Sequence, residues 1–320
     1  MSKNPFGFAF TDDIDLDHQI QVLDRLRRPE GCIDAVLDTD AFNEVDDQFA
    51  LAYLIQSKNK IHLEAIYAAP FFNHHSTSAQ DGMEKSYLEI FKVFELMHLP
   101  SDAYPVYKGA PRFLSSETEA VPSDAVEDLI ARAKKHTREN PLYVIGIAAA
   151  TNIASAIIKD PSIIDRIFIV WLGGMSLDWH DNNSFNASGD IAAARVILGS
   201  GAPLVLLPGR GVVDHFHTGE AELKHYLEGK NDFCDYLIQK TCEEAALVYG
   251  NKVWSRPLSD VTAVAWLVDN AFMLDRLESS PIMTYDRYYS RDPRRHLIRY
   301  VYAINRDLLM EDLFQKLAEI

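Results

Sequence analysis

Between residues 35 and 55 the chain changes its hydrophobic rhythm. An apolar run, Ala35-Val36-Leu37, passes into Asp38-Thr39-Asp40, and after a polar stretch the apolar residues return from Phe49 onward at helical spacing. That order predicts strand, loop, helix, and it recurs down the chain. Residues 61–69 read as a strand ending at Pro70, and 83–97 carry apolar positions at helical spacing behind Asp81. Val106-Tyr107 predicts a short strand closed by Gly109, and Ser123 is placed to cap a helix running to Lys135. Residues 142–150 are almost uninterruptedly apolar, as a parallel strand covered on both faces requires, and stop at Thr151-Asn152, where the next helix begins. Strands over 167–172 and 204–207 end at Gly173-Gly174 and Pro208-Gly209, with a helix over 190–198 between them. Helices over 220–227, 233–248 and 260–268, a strand over 297–304 and a helix over 309–317 complete the pattern. Such alternation predicts an α/β fold: a doubly wound, mostly parallel sheet with right-handed crossovers, in one domain over residues 1–320. Residues 1–30 read as a lead-in with one short amphipathic helix carrying Ile20, Leu23 and Leu26.

The candidate chemistry collects where the first strand ends. Asp38, Asp40, Asp46 and Asp47 form the pattern DxDxxxxxDD. Side chains alternate along a strand, so Asp38 and Asp40 are expected on one edge. Asp46 and Asp47 fall in the first turn of the next helix, at the positive end of its dipole. Acids this close need a counter-charge, and no Lys or Arg lies between residues 32 and 57. A bound cation meets that need, and oxygen-only donors favour Ca²⁺ or Mg²⁺ over zinc. One such Asp would be an ordinary helix cap; the cluster asks for more. In open α/β sheets ligands lie beyond the carboxyl ends of the strands. Asn73, His74, His75, Thr151, Asn152 and the loop 175–188 are therefore expected around the same cleft. That loop offers Asp178, His180, Asp181, Asn182, Asn183, Ser184 and Asn186, donors and acceptors suited to a polyhydroxylated ligand.

Composition narrows the partners. With 320 residues and 48% hydrophobic content the chain can bury a large core. A formal charge of -16 argues against nucleic acid, and the basic cluster Arg291, Arg294, Arg295 is short enough to be a solvated turn. No run is apolar and long enough to span a bilayer, and the first 21 residues are polar and acidic without a signal-peptide core, so a cytoplasmic location is expected and a membrane partner is not. Cys32, Cys234 and Cys242 show no ligand spacing and are expected as small buried hydrophobes in a reducing compartment.

Four motifs, taken together, resemble the inosine-uridine-preferring nucleoside hydrolase family from residue 33 onward. They are Leu37-Asp38-Thr39-Asp40 with Asp46-Asp47; Ala150-Thr151-Asn152-Ile153-Ala154; Gly173-Gly174 with Ser184-Phe185-Asn186; and Ser259-Asp260 opening Val261-Thr262-Ala263-Val264-Ala265-Trp266. The resemblance implies a single α/β domain that hydrolyses the N-glycosidic bond of a ribonucleoside to free base and ribose. It also implies tightly bound Ca²⁺, a place in nucleoside salvage and assembly as a homodimer or homotetramer. By the same resemblance Asp40, Asp47 and Asp260 bind the metal through carboxylates and Thr151 through its main-chain oxygen, with Asp40 also the general base. Asp46 and Asn186 hold the ribose hydroxyls, with Ser184, Asn183 and Asn73 bordering the substrate.

The chain also departs from the family pattern. The Asp40 to Asp46 spacing is two residues longer than the commonest form and lacks its Pro-Gly. Ser184 stands where a glutamate normally precedes Phe-Asn and contacts the 5′-hydroxyl, and Ser259 where some members carry a histidine credited as leaving-group acid. A 5′-modified or bulkier nucleoside is consistent with Ser184. His74, His75, Trp179, His180, His215 and His217 are candidates to meet the departing base. Two other readings fit part of the pattern. One is a haloacid-dehalogenase-like phosphatase with Asp38 as nucleophile and Asp40 as acid/base; the other is a non-catalytic, Ca²⁺-dependent nucleoside- or ribose-binding protein.

Overall fold

The structure, a computed structural model, describes residues 16–320. Six strands precede the chain midpoint or lie just beyond it: β1 (Ile33–Thr39), β2 (Ile61–Ala68), β3 (Val106–Lys108), β4 (Leu142–Gly146), β5 (Ile167–Leu172) and β6 (Leu204–Leu207). They pair in the order β3-β2-β1-β4-β5-β6, all parallel, and the late strand Leu297–Ile304 adds parallel to β6. Met273–Ser279 closes the edge antiparallel to that strand, giving an eight-stranded sheet. The helices are α1 (Leu16–Arg25), α2 (Asp46–Gln56), α3 (Ala79–Leu96), α4 (Asp124–Ala133), α5 (Thr151–Lys159), α6 (Phe185–Gly189), α7 (Ile191–Gly199), α8 (Glu220–Leu227), α9 (Asp232–Tyr249), α10 (Val261–Val268) and α11 (Arg306–Ala318).

Two apolar layers, one on each face, hold the sheet. Ala35 and Leu37 of β1 enter the layer built with α2, α3, α9, α10 and α11, whereas Val36 enters the layer under α4, α5 and α7. Period-two alternation between two covered faces makes the central strands read as continuous apolar runs. The chain turns to one side of β1 for β2 and β3 and to the other for β4, β5 and β6, so β1 and β4 flank the switch point. A crevice opens there at the carboxyl ends of parallel strands.

Most predicted elements are present, and the differences have local causes. The strand expected over 142–150 ends at Gly146: the chain leaves the ladder there, with Ile147 N keeping one bond to Asp38 O at 2.9 Å. The apolar residues after it are buried because they cross beneath the crevice, not because they extend the sheet. The amphipathic stripe of α1 is only partly used, since Leu26 is buried while Ile20 and Leu23 stay exposed. That helix is anchored at its C-terminal end, where Arg25 donates to Ile164 O and pairs with Asp165. Cys234 is buried as expected, but Cys32 is exposed. The basic cluster is more than a solvated turn: Arg295 Nε donates to Ser280 O at 2.8 Å and Arg291 to Leu177 O at 2.7 Å. No helix among the described residues is long and apolar enough to cross a membrane.

Candidate active site

The segment after β1 turns back so that α2 begins with two acids facing the strand end. Thr39 donates its hydroxyl to Asp47 Oδ1, fixing the first turn of α2 against β1. Asp260, at the N-terminus of α10, joins them from 214 residues away, its backbone N–H donating to Asp46 Oδ2 at 3.3 Å. Carboxylate oxygens of Asp46, Asp47 and Asp260 lie within 4.8 Å of one another. Asp40 borders the group; its Oδ2 is buried with no hydrogen-bond partner. These four acids face a cavity also lined by Asn43, Glu44, Ile147, Leu172, Gly173, Gly174, Ser184, Asn186, Gly209 and Ser259.

The electrostatics follow from burial without sufficient counter-charge. Burial pushes the Asp40 carboxyl well above the usual range, and the neighbouring charges of Asp47, Asp46 and Glu44 add to it. Asp47 and Asp260 are raised for the same reasons, burial first and then their acidic neighbours. Asp46 is pushed up to about 7 by burial and Glu44, with Arg256 opposing. Arg256 is the cation that a local search around the acids misses. It reaches Glu44 Oε2 at 3.1 Å, on the flank of the cluster, while its buried Nε has no partner. One guanidinium cannot balance five acids. An oxygen-only donor set, an orphaned carboxylate oxygen and this excess charge all fit a hard divalent cation among Asp40, Asp46, Asp47 and Asp260.

The structure sorts the other expected residues. Asp38 does not line the cavity with Asp40: it accepts from Asn152 Nδ2 at 2.7 Å, and burial pushes it up to about 7. The alternation rule ends with the strand at Thr39, so Asp40 already belongs to the turn. Thr151 opens α5 with its hydroxyl committed to Asp190 Oδ2 at 2.8 Å, and it does not line the cavity. Asn186 does. Its Nδ2 donates to Ile147 O at 3.1 Å and Leu172 O at 3.0 Å, which leaves the amide oxygen as its available group. Ser184 caps α6 and accepts from both Gly174 N at 2.7 Å and Ala187 N at 3.2 Å. Asn183 is exposed and holds Arg287 instead, outside the cavity. Asn73 acts one step back, donating to Asn43, which lines the cavity.

None of His74, His75, Trp179, His180, His215 and His217 lines the cavity. His75 lies against His74, with ring centroids 3.8 Å apart, and reaches Glu244 at 3.7 Å. Glu44, Asn43 and Arg256 are the neighbours the sequence left unmarked. Glu44 sits inside the acidic motif, but Arg256 is signalled only by its place three residues before Ser259.

The fold is that of the nucleoside hydrolases. The chain is similar to a plant nucleoside hydrolase, with a TM-score of 0.70 at 15% identity over 90% of this chain and 99% of that one. It is likewise similar to a purine-preferring ribonucleoside hydrolase from Gardnerella vaginalis (0.69, 20% identity, 89% and 98%). A type III effector protein complexed with adenosine diphosphate ribose also matches, with a TM-score of 0.63 at 16% identity over 96% and 99%. No curated protein matches the sequence. The chain belongs to the inosine-uridine preferring nucleoside hydrolase family, whose sequence profile matches residues 35–297. It is therefore an N-ribohydrolase, a glycosidase, and the phosphatase alternative falls.

Proposed function

We propose that this protein is a Ca²⁺-dependent ribonucleoside hydrolase with Asp40 as its general base. The observation that carries this reading is the meeting of Asp46, Asp47 and Asp260 beside the unpartnered oxygen of Asp40, in a cavity that also presents Asn186. Asp40, Asp47 and Asp260 would hold the ion through carboxylates; the Thr151 main-chain oxygen, a ligand by the family motif, would have to reach the ion from outside the cavity lining. A calcium ion held there would supply Lewis acidity toward water and the sugar hydroxyls.

Asp40 takes the proton of the attacking water: Asp38 Oδ2 and Gln48 Oε1 are also buried without partners, but of the three residues Asp40 is the one that lines the cavity. Asp46 and the amide oxygen of Asn186 accept from the 2′- and 3′-hydroxyls and fix the sugar ring. As the N-glycosidic bond opens, positive charge grows on the ribose ring, and the surrounding carboxylates stabilise it. Asn43 and Glu44 border the same space. With Ser259 in the late motif and the six candidate residues outside the cavity, departure of the base relies on solvent or on the base's own basicity.

Ser184 points to the substrate. Its oxygen already accepts two N–H groups, so what remains for a ligand is its O–H, a donor. A donor matches an esterified or otherwise substituted 5′-oxygen as well as a free hydroxyl. Free cysteines, one of them exposed, fit a reducing cytoplasm; a role in nucleoside salvage follows from the family reaction alone.

The test is release of reducing sugar from a panel of purine and pyrimidine ribonucleosides, 5′-substituted nucleosides and adenosine diphosphate ribose, with calcium present. Asp40→Asn is expected to lower turnover by about 10²- to 10⁴-fold with an unchanged circular dichroism spectrum. Undiminished turnover in that variant would sink the assigned base, and binding without turnover in the native protein would favour a sensor.

A further inference from the structure

Near the amino-terminal ends of β1 and β2, away from the crevice, a second set of ligand-type side chains converges. Asp34 lies six residues before Asp40, about 20 Å away along an extended strand. It is in register with His62 of β2, and the two share a face, with His62 Nδ1 2.7 Å from Asp34 Oδ1. The next step of the ladder is irregular. Ala35 stands opposite Leu63 and Val36 opposite Ala65, which leaves Glu64 as an extra residue in β2. A bulge of this kind re-aims a side chain. Glu64 Oε1 is turned to Nε2 of the buried His136, just beyond α4, at 3.3 Å. Ligand atoms of Asp34, Glu64 and His136 all lie within 4.8 Å of one another.

The surroundings hold this group in place. Arg132 takes the other oxygen of Glu64 at 2.9 Å and reaches Asp128 at 2.6 Å, and Tyr67 donates to Asp128 at 2.8 Å. Ligating carboxylates are commonly oriented by such outer hydrogen bonds. Asp34, Glu64 and Asp128 against Arg132 leave two negative charges in excess when both imidazoles are neutral, an excess that one divalent cation cancels. One imidazole with two carboxylates forms a donor set of intermediate softness, unlike the oxygen-only group at Asp40. A tetrahedral zinc site with bonds of about 2.0–2.1 Å has ligand–ligand edges of roughly 3.3 Å. The Glu64–His136 separation of 3.3 Å matches that edge, and the group as a whole, within 4.8 Å, would draw in on binding.

We propose that Asp34, Glu64 and His136 form a zinc-type divalent-cation site, with His62 orienting Asp34 from outside, that ties β1 and β2 to the segment after α4. It is separate from the catalytic cavity and does not depend on the hydrolase reading. The test titrates zinc into the full-length protein held in excess calcium, by calorimetry, with metal content read after gel filtration. The expected result is one zinc per chain that raises the melting temperature, and four-coordinate visible bands when Co²⁺ replaces zinc. His62→Ala and Asp34→Asn, both at accessible positions that the fold tolerates, should each weaken zinc by at least about tenfold. Asp40→Asn should leave it unchanged. Zinc affinity indifferent to His62→Ala and Asp34→Asn, or no zinc retained at about 0.1 mM, would overturn the site and leave an ion-pair network.

Discussion

The buried acids at the crevice make a prediction whose size follows from the structure. In cation-free protein burial, with Glu44 beside it, pushes the Asp46 carboxyl from 3.8 up to about 7, against Arg256 and the backbone N–H groups of Asp260 and Asp46. A carboxyl whose folded pKa is raised contributes stability below its unfolded pKa and loses it as pH climbs through the folded one. The window here is therefore about pH 4 to 7, and above it the ionised group costs at most about 4 kcal/mol, at 1.36 kcal/mol per unit. Asp46→Asn removes that cost while keeping an oxygen to accept the Asp260 N–H. For 320 residues the unfolding entropy is roughly 0.7 kcal/mol/K, so the cation-free variant should melt up to about 6 °C above the native protein at pH 8. At pH 4 the two should coincide. Scanning calorimetry on chelator-treated samples reads this directly. Calcium should raise the native protein's melting temperature at pH 8, since binding to the folded state alone stabilises it. A cation-free Asp46→Asn that melts at or below the native protein at pH 8 would refute the reasoning, because the acids would then already be neutralised by something else.

Other expectations probe the walls of the cavity and the edge of the fold. Gly174 has φ +74°, and a Cβ there would run into the Tyr289 hydroxyl. Gly174→Ala should therefore destabilise by about 2–5 kcal/mol in urea denaturation, from left-handed strain plus overpacking. Asn186→Ala removes two hydrogen bonds to strand-end carbonyls and the amide oxygen facing the sugar, so kcat/KM should fall roughly 10- to 100-fold, and an unchanged kcat/KM would contradict its place at the sugar. His296 is pushed down to about 4 by burial and by Arg295 and Arg25. A depressed histidine leaves stability intact above pH 6.5 and removes up to about 3 kcal/mol as pH falls to 4. Comparing His296→Phe with the native protein at pH 7 and pH 4.5 should show the native one losing more, and parallel losses would contradict the assignment.

The chain's own order determined much of this protein. The strand before Asp38, the acid-led start of α2 and the strand–helix alternation are carried by side-chain periodicities of two and 3.6, which are properties of neighbouring residues. The family motifs could be read for the same reason, as each is a short run at a strand end or helix start. Contacts between distant runs were decided by the tertiary structure. Asp260 meets Asp46 because β1 and β4 flank the switch point and α10 packs on the face that α2 covers. Arg256 flanks the acids although the local sequence offers no cation, and Asp38 turns to Asn152 instead of to Asp40. The His74–His75 pair and Asn183, chemically eligible, fall outside the cavity. The physical reason is that charge and hydrogen bonding act through space, while the sequence lists residues along one dimension. Periodicity places a side chain on an element's face, and only the packing of whole elements sets what that face meets.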